Sequence, residues 1–144
     1  MKIEVKRIYE QPAKNDGARV LVDRLWPRGI SKERAELAAW LRNLAPSDEL
    51  RHWYHARPEQ WASFRKRYLK ELTKEEAAEA LKELYRIAGK AKRLTLLFAS
   101  KQEQRNNAVV LKDLLEGMRK PPTGTGPAAA RSGRERQAKR MPRP

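Results

Sequence analysis

The sequence predicts an α/β fold: a small, mostly parallel sheet of about three to four strands flanked by helices. Three observations lead to it. Short runs rich in Val, Leu and Ile occur near the N-terminus and again in RLTLLFA (93–99). Between them lies a long segment, 47–89, whose apolar residues follow helical spacing. The chain of 144 residues, 40% of them hydrophobic, is also long enough for one compact core.

The strands are predicted from short apolar segments. Ile3 and Val5 alternate with charged residues and indicate the first strand. Residues 11–17 contain Pro, Asn, Asp and Gly, so they are predicted as a turn. The run ARVLVDRL (18–25) is then predicted as a second strand, buried on both faces, and RLTLLFA (93–99) as the third.

Helices are predicted from capping residues and from helical spacing. Ser31 is placed to cap a short helix that continues to about Trp40. Ser47, followed by two acidic residues, is placed to cap a helix that ends before Pro58. Pro58 then suits the first turn of the next helix.

Two further helices complete the predicted order, and the long segment 47–89 is predicted to cover one face of the sheet or to build a helical cap. Thr73 and Glu76 have the spacing of a capping box, and Gly89 is predicted to end that helix. Apolar residues over 108–118 predict the last helix, which follows a polar loop.

Two regions of different composition are predicted, an α/β domain at 1–119 and a tail at 120–144. The tail is rich in Pro, Gly, Ala and Arg and is predicted to be disordered. Of the net charge of +15, the tail carries +6 and the domain +9. This charge favours nucleic acid or phosphate-bearing and acidic small molecules as partners, although it also suits simple solubility.

Composition excludes several classes of site. There is no Cys, so disulfides, thiolate chemistry and zinc sites built on Cys are excluded. His52 and His55 are the only histidines, so no metal site is predicted, and no cofactor motif is found.

No apolar run approaches membrane-spanning length and the N-terminus lacks a signal peptide, so we expect a cytoplasmic protein with no membrane partner.

A ligand site is predicted where strands two and three end, because open α/β sheets bind ligands beyond the carboxyl ends of their strands. The loops are 23–29 and 100–106, and they would face one another if the two strands are neighbours. Their basic, aromatic, glycine and amide residues are the predicted ligand-binding set: Arg24, Trp26, Arg28, Gly29, Lys32, Lys101 and Asn106. Arg105 adds charge, and the start of the last helix would attract an anion.

The predicted roles follow from side-chain chemistry. Arginine can hold a phosphate or carboxylate with two hydrogen bonds, and Trp26 could stack on a base or sugar. Gly29 would allow close approach of the backbone, and Asn106 would orient polar groups. The alternative is structural: Trp26 belongs to the core, and the arginines form ion pairs with Asp23 and its neighbours.

Three functions remain open from the residues. The first is binding of an anionic or nucleotide-like ligand at the strand ends. The second is a nucleic-acid-binding accessory protein that uses the basic face and tail, with strong salt dependence. The third is an enzyme, a hydrolase or transferase, with Asp23 or His55 as the acid/base; no paired catalytic constellation accompanies them.

The residues also carry a family resemblance. The segment Val22-Asp23-Arg24-Leu25-Trp26-Pro27-Arg28-Gly29, followed by Lys32, resembles the signature of the YeaO-like family, a domain of unknown function. Further matches are Trp40, Leu44-Ala45-Pro46-Ser47, Leu50-Arg51, Trp53-Tyr54-His55, Pro58, Trp61, Phe64, Tyr68, Glu71-Leu72, Leu97-Phe98-Ala99, Lys101, Asn106 and Ala108-Val109-Val110-Leu111. The resemblance implies a compact cytoplasmic α/β protein of bacteria or archaea and supplies no substrate.

The chain departs from the family pattern after the third strand. There the family usually has Lys-Asp and then His-Asn, whereas here Gln102 follows Lys101 and Arg105 precedes Asn106. An acidic and an imidazole side chain are therefore missing. If the family is catalytic through those groups, the resemblance implies that this member binds without turnover.

Overall fold

The computed structural model describes residues 2–117, which form one sheet and its covering helices. The strands are β1 (Lys2–Arg7), β2 (Ala18–Leu21), β3 (Ala39–Trp40) and β4 (Arg93–Phe98). The helices are α1 (Lys32–Ala35), α2 (Asp48–Ala56), α3 (Trp61–Glu71), α4 (Glu75–Lys90) and α5 (Asn107–Gly117), with 3-10 turns at Lys14–Asp16 and Arg42–Leu44. The predicted disorder of 120–144 concerns residues outside this range. Within it, no helix is both long and apolar enough to cross a membrane.

The sheet has the strand order β1-β4-β2-β3, and every neighbouring pair is parallel. The predicted α/β class with a mostly parallel sheet is therefore confirmed. β4 lies between two strands, and Leu96 faces Val5 on one side and Val20 on the other. This central position explains why five of its six residues are buried, and why four of those five are apolar rather than every second one.

The two faces of the sheet are covered unequally. On one face, Leu94, Leu96 and Phe98 pack with the helical segment and α5 in the main core. On the other, Leu21 and Leu97 meet a smaller group: Ile8, Ile30 and Ala35. Full burial of one such aliphatic side chain stabilises the fold by about 1.5–3 kcal/mol, so most of the stability comes from the helical face.

Several predicted boundaries are wrong, and the largest error concerns residues 31–40. The helix expected from Ser31 to Trp40 has four residues, because Glu36 adopts a left-handed conformation (φ 49°) and ends it. Trp40 lies in β3 instead, where it faces Leu21 of β2. The second strand ends at Leu21 rather than at residue 25.

The caps of the middle helices are partly as predicted. Ser47 caps α2, accepting a hydrogen bond from the Leu50 N–H (3.1 Å). Thr73 does not cap α4; its hydroxyl donates to the carbonyl of Lys70 (2.7 Å), at the end of α3. α3 begins at Trp61 rather than near Pro58, and α4 continues one residue beyond Gly89.

A buried ion cluster anchors the start of β2. The Arg19 side chain, which is 4% exposed, donates from Nη1 to Oδ2 of Asp16 (2.6 Å) and from Nε to the carbonyl of Ala35 (2.9 Å). Lys6 Nζ lies 3.2 Å from the Asp16 carboxylate. Burial alone would raise the pKa of Asp16, but hydrogen bonds from the Ala13 N–H, Lys6 and Arg19 outweigh it, and the pKa is lowered.

Candidate functional site

The two loops that the sequence singles out follow adjacent strands. β2 pairs directly with β4, and the ladder extends one residue further through the Val22 N–H, which donates to the Leu97 carbonyl (3.1 Å). Residues 22–32 and 99–107 therefore leave the sheet side by side, at its carboxyl edge. We call these two segments together the carboxyl-edge site.

Asp23 joins the two segments. Its Oδ2 accepts a hydrogen bond from the Ala99 N–H (2.8 Å), and its Oδ1 from the side-chain amide of Asn107 (3.3 Å). The same amide donates to the Val22 carbonyl (2.9 Å), and the indole N–H of Trp40 donates to the Asp23 carbonyl (2.8 Å). Asp23 thus holds the end of β2, the end of β4 and the start of α5 in one arrangement.

The surroundings of Asp23 determine its ionisation. Burial raises the pKa of Asp23, while hydrogen bonds from Ala99 and Asn107 and the charge of Arg51 act in the opposite direction without cancelling it. Nearby, the buried hydroxyl of Tyr68 donates to the Leu44 carbonyl. Burial, followed by the negative charges of Asp23 and Glu71, raises the pKa of Tyr68 well above its ordinary value, so this phenol stays protonated.

Asp23 and Asp16 are expected to give stability opposite dependences on pH. Because the pKa of Asp16 is lowered, its contribution to the free energy of unfolding is fully present above about pH 3.8, the ordinary pKa of aspartate. It is lost as the pH falls through the folded-state pKa. The raised pKa of Asp23 means that its ionisation opposes folding, and this penalty disappears as pH falls through the folded-state pKa towards 3.8. Urea denaturation of wild type, Asp16→Asn and Asp23→Asn over a pH series measures both.

As the pH falls, the free energy of unfolding of wild type should approach that of Asp16→Asn. Over the same range it should rise relative to that of Asp23→Asn. Each variant serves as the control for the other, because both replace a carboxylate by an amide of the same shape. Parallel pH profiles for the two variants would contradict the assignment of opposite pKa shifts.

A second link between the segments comes from β1. The Tyr9 hydroxyl donates to the Arg28 carbonyl (3.1 Å), and the Arg7 guanidinium lies 5.1 Å from the centre of the Tyr9 ring. Arg7 also donates from Nε to the Ser100 carbonyl (3.0 Å) and from Nη2 to the Ala99 carbonyl (3.0 Å). Tyr9 thereby binds the backbone of the first loop and Arg7 that of the second, and the two side chains contact one another.

Trp26 packs within its own loop. Its ring meets Trp40 edge-on, with ring centres 5.3 Å apart, and its indole N–H donates to the Ile30 carbonyl (2.6 Å). Gly29 has φ +83°, and no heavy atom lies within 4 Å of the position a Cβ would take. The half-buried indole stabilises the loop, while the backbone at Gly29 is open to close approach.

The amide of Asn106 is used inside the protein. Its Oδ1 accepts a hydrogen bond from the Val109 N–H (3.1 Å), and its Nδ2 donates to the Gln102 carbonyl (2.7 Å). The side chain is buried and shapes the turn into α5. Asn106 therefore orders the loop, and from α2 the Tyr54 hydroxyl steadies it further by donating to the Arg105 carbonyl (3.2 Å).

All but one of the basic side chains of the carboxyl-edge site are exposed. Within residues 2–117, four of them form neither a salt bridge nor a side-chain hydrogen bond: Arg28, Lys32, Lys101 and Arg105. Arg24 is half-buried and donates to the Ala45 carbonyl (3.2 Å). His55 is exposed on α2, and its ring makes no hydrogen bond to the described part of the chain. No group of three or more His, Asp and Glu in residues 2–117 is arranged to hold a metal ion.

Four residues that lie in or beside the carboxyl-edge site were not selected from the sequence. Arg7 ends β1 and Tyr9 follows it, at a strand end that was not considered, and Asn107 stands beside the Asn106 that was chosen. Tyr68 was assigned to the core on helical spacing, and it is fully buried. Its hydroxyl could have indicated a polar role, because a buried tyrosine usually directs that group at a hydrogen-bond partner.

Comparison with known proteins places the chain in a family. Residues 2–130 match the family described as the inactive DUF488-N3 subclade. The chain belongs to this family. The uncharacterized protein YeaO of Escherichia coli is 42% identical over 120 residues, which cover 82% of this chain and 100% of YeaO. The uncharacterized protein Rv3073c of Mycobacterium tuberculosis is 41% identical over 116 residues, which cover 81% of this chain and 95% of that protein.

The predicted YeaO-like resemblance is confirmed by these matches. No solved structure is significantly similar. The subclade is described as inactive.

Proposed function

We propose that the protein binds an anionic small molecule or a nucleotide-like group at the carboxyl-edge site and does not turn it over. The observation that carries the proposal is an excess of positive charge on the two adjacent segments of the site, unpaired within residues 2–117: Arg28, Lys32, Lys101 and Arg105. Arginine can grip a phosphate or carboxylate with two charge-assisted hydrogen bonds. Exposed cations with no acidic partner keep these donors available to a ligand.

The backbone beneath these cations is held in place, which supports binding. Asp23 fixes Ala99 and the start of α5, and Tyr9 and Arg7 hold both loops from β1. A loop ordered before binding loses less conformational entropy when a ligand arrives. The start of α5, an eleven-residue helix, adds the positive end of the helix dipole.

Binding without turnover is supported by the state of the candidate acid/base groups. Both carboxylate oxygens of Asp23 already accept hydrogen bonds from the protein, and Tyr68 remains a protonated donor. His55 has no partner in the described residues that would orient its ring. The family description as inactive points in the same direction.

The site is tested by thermal shift of the full-length protein with inorganic phosphate, nucleoside monophosphates and sugar phosphates at two salt concentrations. A ligand at about 100 times its Kd stabilises the folded state by about 2.7 kcal/mol, which is easily measured. The double variant Arg28→Ala/Lys101→Ala should weaken binding of the responding compound by at least about tenfold, because hydrogen bonds to charged groups contribute about 1.5–3 kcal/mol each.

The matched control is Lys14→Ala/Lys92→Ala, which removes the same charge at the opposite edge of the sheet. Both lysines are exposed and form no salt bridge in the described range. Arg24 is left unchanged because its contact with Ala45 would mix a structural effect into the result. Equal losses in the two double variants would mean that the ligand responds to overall charge, and the proposed site would be wrong.

A further inference from the structure

A second group of cations lines one wall of an open groove between α2 and α3, outside the carboxyl-edge site. The groove has a volume of about 420 Å³, and its basic wall consists of Arg67, Lys70 and Lys74. Trp53 of α2 forms part of the opposite wall. The next residue, Tyr54, contacts the loop at Arg105, so α2 presents different sides to the groove and to the carboxyl-edge site.

Trp53 holds Arg67 in position. The Arg67 guanidinium lies 4.2 Å from the centre of the indole ring, a cation–π stack, and Arg57 lies 5.4 Å from the same ring. Arg67 makes no hydrogen bond or salt bridge with its side chain in residues 2–117. A guanidinium stacked in this way is already restricted in its rotamers, while its N–H edges remain able to donate.

The carboxylates that line the groove leave the three cations unpaired. Glu71 accepts hydrogen bonds from the backbone N–H of Ser47 (2.8 Å) and from its hydroxyl (2.6 Å), so its charge faces the N-terminus of α2. Glu49 is exposed at the rim. Within the described residues, no salt bridge involves Arg67, Lys70 or Lys74.

The cations form a row rather than a single nest. Arg67 and Lys70 are three positions apart on α3, which places them on the same side of the helix, and Lys74 follows at the start of α4. A row of cations suits an anion with several charges along a chain better than one isolated phosphate. An aromatic side chain within a basic groove is the arrangement by which proteins bind single-stranded nucleic acid without sequence preference.

We propose that the groove between α2 and α3 binds the phosphodiester backbone of single-stranded nucleic acid, with Arg67, Lys70 and Lys74 on the phosphates and Trp53 beside a base. The strongly basic composition of the chain, with a net charge of +15, favours such a partner. A single strand is preferred to a duplex because its bases are free to meet the indole. This site is independent of the ligand proposed for the carboxyl edge.

Fluorescence anisotropy of a labelled oligothymidylate of about 12 nucleotides, a length within the usual site sizes, tests the proposal on the full-length protein. The triple variant Arg67→Ala/Lys70→Ala/Lys74→Ala should weaken binding at least about tenfold. It should also flatten the dependence of log K on log salt by about 2, because each lost phosphate contact on a single strand removes about 0.7. Trp53→Leu should weaken binding about fivefold or more through lost stacking.

The matched control is Lys14→Ala/Lys90→Ala/Lys92→Ala, which removes three exposed lysines at the far edge of the sheet and leaves the tail intact. This control should change affinity less than about threefold. Equal weakening by both triple variants would overturn the groove as the site, as would competition by polyglutamate as strong as that by unlabelled oligothymidylate. The triple variant should keep its response to the small anions of the carboxyl-edge site, so the two proposals can fail separately.

Discussion

Replacing Asp16 by asparagine is expected to lower the free energy of unfolding by about 3–5 kcal/mol. The substitution keeps the shape of the side chain but removes the charge that faces Arg19, whose side chain is 4% exposed. One of its nitrogens, Nη2, already has no hydrogen-bond partner in the described structure. A buried guanidinium without its carboxylate is an uncompensated charge in a low-dielectric environment. Urea denaturation at neutral pH measures the loss.

Arg19→Met in the same background provides the control. With the charge gone from both positions, the double variant Asp16→Asn/Arg19→Met should be destabilised by clearly less than the sum of the two single variants, because a buried pair replaced together leaves no unpaired ion. Strict additivity would show that Asp16 acts through its contacts with Ala13 and Lys6 instead.

Burial on both faces made the central strand predictable. β4 has the sequence RLTLLF and lies between β1 and β2, so its mostly apolar residues from Leu94 to Phe98 reflect its position in the sheet. The predicted proximity of the two loops depended on this pairing, which local sequence cannot supply because β2 and β4 are far apart along the chain. The hydrophobic pattern therefore predicted both strands, whereas their pairing had to be assumed.

β3 could not be predicted from its own residues. Ala39 and Trp40 are too few to show a period of two, and the Ser31 cap favoured a helix through them. Their strand conformation comes from pairing with Val20 and Leu21. A two-residue strand is decided by its tertiary neighbour, and here that neighbour also places the Trp40 indole on the Asp23 carbonyl.

The order of strands and helices predicted which loops form the candidate site, but it did not predict the hydrogen bonds within those loops. Of the basic residues selected, Arg28 and Lys101 lie in the strand-end loops and Lys32 begins α1, and their role in binding stays a prediction. The links that order these loops, through Tyr9 and Asn107, join residues distant in sequence. Only the fold shows that Asn106, selected as a ligand contact, has its amide engaged by Gln102 and Val109.

Gly17→Ala is expected to destabilise the protein by about 3 kcal/mol or more. Gly17 has φ 67° and ψ −136°, a conformation in which residues with a Cβ are strained by about 1–3 kcal/mol. A Cβ there would also lie 2.6 Å from the Cβ of Arg93 and 2.7 Å from its carbonyl carbon. The alanine would therefore push the start of β2 away from the start of β4, where Ala18 pairs with Leu94. Chemical denaturation measures the effect.

Gly29→Ala separates the steric effect from the conformational one. Gly29 also has a positive φ, 83°, but a Cβ there would meet no heavy atom within 4 Å. Both substitutions restrict the unfolded chain equally, so that contribution cancels between them. Gly29→Ala should lose only about 1–2 kcal/mol from the left-handed backbone. A loss as large as that of Gly17→Ala would mean that backbone conformation accounts for both, and that contact with Arg93 contributes nothing measurable.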